Sequence, residues 1–360
     1  MKAAMMYEKG QPLVIEEVGV SNPGPREVLI RTMAAGVCHS DLHILDGLYP
    51  YPLPVVLGHE SAGIVEKVGS DVSYVKPGDH VITCLSVFCG TCEHCVTGHL
   101  SLCENPDLLR KADQSPRLEK DEKMVNQFMH LSSYAEMMLV HEHAVVKVRE
   151  DMPFAQAALI GCGVTTGVGA VHNTAKVEVG STVAVIGCGG VGLSCVNGAA
   201  IAGASRVIAI DVVASKLELA RTFGATDVID ASQDDPVKAV RELTQGGVHY
   251  AFEAIGLKQT CEQAFKMCRP GGAATVIGMV PVGTQLEIHA PELLREKKLQ
   301  GSNMGSNRFR VDMPRYVDFY MQGRLKLDEM ISQTIKLEQI NEAFAELRTG
   351  NVARSVITFN

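Results

Sequence analysis

Residues 182–192 read TVAVIGCGGVG. An apolar, β-branched run ends on a G-x-G-x-x-G pattern at Gly187, Gly189 and Gly192, and the apolar stretch VGLSCVNGAAIAGA (191–204) follows. Alone the pattern says little. A strand before it and a helix after it are the setting in which it holds a diphosphate. Gly187 permits the tight turn, Gly189 lets backbone amides approach the pyrophosphate, and Gly192 lets helix and strand pack closely. Gly190 and Val191 then open a helix whose unpaired N–H groups point at the anion. A glycine-rich turn that binds nothing is the plainer alternative, and the flanking pattern argues against it.

Toward the C-terminus, short apolar runs alternate with helical ones. The strand candidates are RVIAID (206–211), DVIDAS (227–232), HYAFEAIG (249–256), AATVIGM (273–279) and KLQGSN (298–303). Between them lie SKLELARTFGA (215–225), PVKAVRELTQ (236–245) and KQTCEQAFKMCR (258–269). This alternation predicts an α/β domain over 164–302, a doubly wound parallel sheet covered by helices on both faces. The second strand ends in Asp211, nineteen residues beyond Gly192, where a carboxylate accepts ribose hydroxyls. A 2′-phosphate about 5 Å from that carboxylate would meet repulsion of several kcal/mol at an effective dielectric near 20. Val212 and Val213 offer no compensating cation, so the expected cofactor is NAD rather than NADP.

Toward the N-terminus the texture changes. VLIRTMAAGV (28–37), GIVEKVG (63–69) and DHVITC (79–84) are separated by the turn signals NPGP (22–25), YPYPLP (49–54) and KPGD (76–79). Short strands with frequent turns predict a barrel-like β domain. The chain from 303 ends in a strand-like SVITF (355–359). The expected layout is therefore one β-rich domain from 1–163 and 303–360, with the nucleotide-type sheet inserted between.

The chain has 360 residues, 46% hydrophobic and 21% charged, which suits about two domains and excludes disorder. A net charge of −8 speaks against a nucleic-acid partner. No run approaches eighteen uninterrupted apolar residues, and MKAAMMYEKG lacks the apolar core of a secretory signal. A cytoplasmic protein outside the membrane is expected. The stretch 104–130 is densely charged and reads as a solvated surface loop, with a lid or interface as the alternative.

Eleven cysteines, an odd number, do not read as a disulfide framework. Four crowd into Cys89-x2-Cys92-x2-Cys95-x7-Cys103. Four thiolates in one loop suit a closed, structural zinc site. An iron–sulfur cluster shares the first spacings, but its fourth spacing differs and no proline follows Cys103. Free or redox-active thiols are a third reading. A second group is scattered: Cys38 in GVCHSDLH (36–43), His59 in GHESAGIVEKVG (58–69) and Cys162 in GCGVTTGVG (161–169). Three such ligands would leave zinc a fourth, open position. Taken singly, each cysteine reads equally as a buried structural residue and His59 as a hydrogen-bonded core histidine.

Gly58-His59-Glu60-x2-Gly63-x5-Gly69-x2-Val72 resembles the zinc signature of the medium-chain alcohol dehydrogenases. The four-cysteine run, GCGVTTG, GCGGVG and Asp211 follow in that family's order, so the resemblance spans essentially the whole chain. It implies a GroES-like β-barrel catalytic domain and a Rossmann domain, two Zn²⁺ per chain and NAD. It implies Cys38, His59 and Cys162 as catalytic zinc ligands and Asp41 as the carboxylate orienting the zinc histidine. Glu60 resembles the acidic neighbour of the metal, and Ser40 and His43 the proton relay. His39 and Arg354 resemble residues on the cofactor diphosphate, Thr166 the residue beside the nicotinamide, and Lys216 the one on the adenosine ribose. The long segment after Cys103 is similar to the class I/III branch, which implies a homodimer, with a tetramer as the alternative. The implied function is reversible NAD-linked oxidation of primary, aromatic, allylic or secondary alcohols. Two other readings stay open: a thiol-dependent formaldehyde dehydrogenase and a catalytically inactive zinc-stabilised nucleotide-binding module. Tyr49 and Asp107 stand near where the formaldehyde enzymes carry an acid and an arginine.

Overall fold

The strand Glu27–Val37 organises the first unit of the chain, and everything but Arg31 and Met33 in it is buried. Neighbours on both sides explain the near-continuous apolar sequence. Ser61–Val68 pairs antiparallel along one edge. On the other edge Met137–His141 takes the first half and Arg354–Thr358 the second. His80–Thr83 and Val145–Lys147 extend the sheet beyond Ser61–Val68, and Ile331–Ile335 extends it beyond Arg354–Thr358. A second sheet runs in the order Val14–Glu17, Lys2–Met6, Val55–Val56, Lys123–Gln127, Leu118–Lys120, Gly19–Val20. Leu42, Leu45, Leu57, Phe128, Tyr134, Phe344 and Leu347 form one buried cluster of this unit. Each large side chain so buried contributes roughly 2–3 kcal/mol.

The computed structural model describes residues 1–111, 114–350 and 352–359. They fall into two units: Met1–Cys162 with Arg308–Gln322 and Met330–Asn360, and Gly163–Asn307 with Gly323–Glu329. The charged stretch 104–130 is more than the solvated loop its composition predicts. It contains the hairpin of Leu118–Lys120 and Lys123–Gln127. Arg117 Nε and Arg110 Nε reach the Glu27 carboxylate at 2.7 and 3.0 Å. Arg117 and Glu27 are both buried, so the charges pair inside the fold and fasten this segment to the central strand. Residues 112 and 113 of the stretch lie outside the described residues.

In the second unit six parallel strands stand in the order Asp227–Asp230, Arg206–Asp211, Thr182–Ile186, Val248–Glu253, Cys268–Val276, Lys298–Gly301. In chain order of the strands this is 3-2-1-4-5-6, the doubly wound arrangement. Its direction reverses between Thr182–Ile186 and Val248–Glu253, which places a crevice at their carboxyl ends. The helix Gly190–Ile201 starts there, nearly all buried, after the first strand. Pro236–Leu243 starts as its sequence dictates, with Pro236 in the first turn and the Asp235 carboxylate accepting from Val237 N and Lys238 N.

One helical stretch, Phe154–Ala175, is long and apolar enough to cross a membrane, but 83% of its apolar window is buried inside the protein. It is a core helix. Widened π-type turns interrupt it at Ile160–Val164 and Ala170–Ala175.

Candidate active site

Cys38 ends the central strand and caps the short helix His39–Leu45. His59 lies in the extended segment before Ser61–Val68, and Cys162 sits in the widened turn Ile160–Val164. A π turn adds a residue to the helical circuit and re-aims a side chain, and such turns recur at functional sites. Here the thiol is brought to the histidine: His59 Nε2 lies 3.2 Å from Cys162 Sγ. The donor atoms of Cys38, His59 and Cys162 all fall within 4.8 Å of one another, and all three residues are buried.

The carboxylate of Asp41, fully buried, orients this group. Oδ1 accepts from Gly58 N at 2.9 Å and faces His59 Nδ1 at 3.1 Å. Oδ2 accepts from Tyr134 OH at 2.8 Å. His59 therefore turns Nε2 toward the sulfurs. Burial opposes charge on its ring, but Asp41 and the Cys38 sulfur raise its pKa well above the ordinary histidine range. The Cys38 thiol is held well below its ordinary value by the hydrogen bond from Cys162, against burial and with help from Arg354. An anionic sulfur beside a second thiol and an oriented imidazole is a donor set that asks for a soft divalent cation.

Glu60 and Arg354 complete the cluster. Glu60 is fully buried and Arg354 is 2% exposed. Arg354 Nε lies 3.3 Å from Glu60 Oε1, and its terminal nitrogen 3.6 Å from Cys38 Sγ. Arg354, which the resemblance places on the cofactor diphosphate, thus stands beside Glu60 and Cys38 at the donor cluster. Gly36 makes room for the pair, since a Cβ there would stand 2.1 Å from Glu60 Oε1. Ser40 Oγ lies 3.8 Å from Cys38 Sγ. His43 is half-buried, stacks on Tyr49 at 6.3 Å between ring centroids, and its Nδ1 has no hydrogen-bond partner among the described residues. His39 is exposed.

The second cluster is compact. Cys89 Sγ lies 3.8 Å from Cys95 Sγ and Cys92 Sγ 3.9 Å from Cys103 Sγ. Four sulfurs about 2.3 Å from a shared tetrahedral centre would be separated by about 3.8 Å. The amides of Thr91 and Cys92 donate to Cys89 Sγ at 3.4 and 3.3 Å. The Cys89 thiol is pushed down to about 5, mainly by hydrogen bonds from the Thr91 hydroxyl and amide.

In the second unit the glycine turn takes the shape its sequence predicts. Gly187 has φ +92°, and a Cβ on Gly192 would lie 1.7 Å from the Gly187 carbonyl oxygen. Gly189 caps the helix that Gly190, Val191 and Gly192 open. Asp211 Oδ2 accepts from Cys188 N at 2.7 Å, and Oδ1 from Val212 N and Val213 N at 2.8 and 3.0 Å. The carboxylate thus joins the ends of the first two strands. Lys216 follows on the helix Ala214–Thr222, and Thr166 Oγ1 donates to Met304 Sδ at 3.3 Å.

Two family descriptions match this chain: "Alcohol dehydrogenase GroES-like domain" over residues 24–153 and "Zinc-binding dehydrogenase" over 190–321. The chain is 40% identical to "Probable S-(hydroxymethyl)glutathione dehydrogenase 1" of Schizosaccharomyces pombe, covering 100% of this chain and 97% of that one. This chain belongs to the zinc-dependent medium-chain alcohol dehydrogenase family. Among solved structures, the benzyl alcohol dehydrogenase of Acinetobacter calcoaceticus is similar with a TM-score of 0.94 and 35% identity, over 100% of this chain and 99% of that one. An alcohol dehydrogenase zinc-binding domain protein from Burkholderia ambifaria gives 0.95 and 36%, over 100% and 98%. The dehydrogenase thus combines a GroES-like unit with a Rossmann unit, and zinc and NAD are the family's cofactors. The donor sets and the glycine turn of this chain fit both groups.

Sequence reasoning missed two residues of this dehydrogenase's site. Tyr134 holds Asp41, but it stands in LSSYAE with no pattern to mark it. Gly36 is one glycine among 34, and only the carboxylate against it shows why it is glycine.

Proposed function

We propose that this dehydrogenase oxidises alcohols reversibly to aldehydes or ketones with NAD, holding one zinc at Cys38, His59 and Cys162 and a second at Cys89, Cys92, Cys95 and Cys103. One observation carries the reading: two thiols and an imidazole from three distant segments converge in a buried cluster, with a hydroxyl, Ser40, beside them. Three protein donors would hold a zinc ion and would leave it able to act on a substrate hydroxyl. When bound, zinc supplies Lewis acidity toward the substrate hydroxyl and NAD accepts the hydride.

The chain's own residues do the rest. Asp41 fixes the tautomer and aim of His59. Glu60 and Arg354 balance charge behind the sulfurs. Ser40 Oγ takes the hydroxyl proton, and His43, whose ring is neutral near physiological pH because burial lowers its pKa, carries it outward. The turn at 187–192 receives the diphosphate and Asp211 the adenosine ribose, with Lys216 beside it. His39 and Thr166 border the cofactor. The dehydrogenase acts in the cytoplasm as a homodimer.

A second reading is thiol-dependent formaldehyde oxidation, supported by the 40% identical relative named for S-(hydroxymethyl)glutathione. Tyr49 speaks against it: an aromatic ring stacked on His43 stands where that chemistry wants an acid. Asp107 is exposed, its amide donating to the Asn105 side chain, where an arginine is wanted. The two readings separate in one assay. A panel of alcohols should reduce NAD without any thiol, and formaldehyde with glutathione should not exceed it. Formaldehyde oxidation that requires glutathione, with no alcohol turned over, would transfer the site to the second reading. Metal analysis should return two zincs per chain.

A further inference from the structure

Tyr134 stands where the segments of the donor cluster meet. It is fully buried, and its hydroxyl donates to Asp41 Oδ2 at 2.8 Å. The Gly36 carbonyl oxygen lies 3.3 Å from the same hydroxyl. Gly36 precedes Cys38 by two residues and Asp41 follows it by three. One hydroxyl therefore touches both flanks of Cys38.

The backbone around this ring is joined to the histidine segment as well. Tyr134 N donates to Leu57 O at 3.0 Å, and Ser133 N to Gly58 O at 3.0 Å. Gly58 has φ +94°, and a Cβ there would stand 2.6 Å from Tyr134 N and 2.7 Å from Tyr134 Cδ1. The residue before His59 thus lies flat against the Ser133–Tyr134 segment, in a conformation and a space that suit glycine. Gly58 and Tyr134 then grip opposite oxygens of Asp41, whose Oδ1 faces His59 Nδ1 at 3.1 Å.

The hydroxyl is there for the carboxylate. Packing alone does not need it: the Phe344 ring meets the Tyr134 ring edge-on at 6.2 Å between centroids, and a phenylalanine would make the same contact. Asp41 Oδ1 accepts from Gly58 N and faces the imidazole, while the Tyr134 hydroxyl is the partner of Oδ2 among the described residues. A hydrogen bond to a charged oxygen is a strong one, and inside the fold no water replaces it. Burial and the Asp41 charge raise the Tyr134 pKa well above the ordinary tyrosine value, so the phenol keeps the proton it donates. Without that bond the carboxylate is free to turn about its own axis, and Oδ1 leaves the line between Gly58 N and His59 Nδ1.

We propose that Tyr134 is a positioning residue for the metal. By locking Asp41, and through it the His59 ring, it sets how slowly the cluster of Cys38, His59 and Cys162 gives up its zinc. The proposal rests on the reading of that cluster as a zinc site.

The test uses the zinc-loaded protein, with a chromophoric chelator in excess to time the release of metal. Zinc should leave in two phases, one for each donor cluster, and the phase missing from Cys38→Ser belongs to the three-donor cluster. Tyr134→Phe keeps the ring and removes the hydroxyl. It should speed that phase by about tenfold to a hundredfold, the range that partners of metal ligands command, and leave the other phase unchanged. Phe344→Leu loosens the packing on the same ring and keeps the hydroxyl, so both phases should match the wild type. In an Asp41→Asn background Tyr134→Phe should add little, because the hydroxyl acts through the carboxylate. With Co²⁺ in place of zinc, the visible bands of the three-donor cluster should shift in Tyr134→Phe and not in Phe344→Leu. A folded Tyr134→Phe with unchanged release and unchanged bands would make the tyrosine a packing residue and overturn the proposal. So would equal acceleration in Phe344→Leu, or a full effect in the Asp41→Asn background. A wild type that binds one zinc, retained in Cys38→Ser, overturns the zinc reading of the cluster itself, a different outcome from two zincs with unchanged release.

Discussion

A single imidazole shows how environment sets a role. Burial lowers the pKa of His43, its ring lies parallel to Tyr49, and its Nδ1 has no hydrogen-bond partner among the described residues. A depressed pKa means the ring is neutral and able to accept a proton at neutral pH, and becomes blocked as pH falls through that value. Replacing His43 by Ala removes the acceptor, so the rate should fall about tenfold or more near pH 7, while hydroxide compensates as pH rises toward about 9. Imidazole or small amine buffers should restore part of the loss at the lower pH. A pH–rate profile identical to the wild type would take His43 out of the relay. The two candidate donor groups differ in how the sequence shows them: the spacing marks the four-cysteine run by itself, whereas Cys38, His59 and Cys162 lie far apart in the chain and are singled out only through the family resemblance. Their supporters are not marked in either way. Tyr134 is a tyrosine like seven others, and only its 2.8 Å bond to Asp41 singles it out.

At the scale of elements, legibility follows exposure. The six parallel strands could be read one by one, since the four inner ones carry apolar runs closed by a turn or a helix with an exposed face, and the two edge strands, DVID and KLQG, complete the alternation. The helix Phe154–Ala175 could not, because it is buried around most of its circumference and carries no amphipathic stripe. Its π turn at Cys162 is likewise silent in GCGVTTGVG, where glycine reads as turn. The charged segment 104–130 misled for the opposite reason: composition reports charge but not pairing. Glu27 shows what the pairing is worth. Burial works against its charge, but the hydrogen bond from Arg110 and the charge of Arg117 hold its pKa at about 2, below the ordinary 4.5. A carboxylate depressed in this way adds stability above about pH 4.5 and loses it as pH falls toward 2. Glu27→Gln should therefore cost on the order of 2–3 kcal/mol at pH 7, by leaving two arginines without their partner. More than half of that difference from the wild type should vanish by about pH 3. Denaturant unfolding at the two pH values measures it, and an equal difference at both would show that the ion pairs contribute nothing.

For the whole molecule, the open question of assembly has a physical starting point in the nucleotide-type sheet. Lys298–Gly301 is one of its two edge strands, and among the described residues no strand pairs with its outer side. Natural proteins cover or blunt such edges. Exposed apolar side chains precede it in the chain: Leu294, four residues before the strand, is 90% exposed, and Val282, sixteen before, 78%. At the opposite edge Asp227–Asp230 carries acidic residues at both ends and shows no large exposed apolar side chain. A second copy seated about a two-fold axis over Leu294 would cover that leucine in both chains with one self-complementary surface. The homodimer proposed above should then sediment as such at micromolar concentration. Leu294→Asp places a charge on that surface without touching either metal cluster or the glycine turn, so it should shift the protein toward monomer while leaving two zincs per chain bound. A wild type that sediments as monomer, or a Leu294→Asp variant that stays dimeric, would move the interface elsewhere and leave the exposed leucine to another explanation.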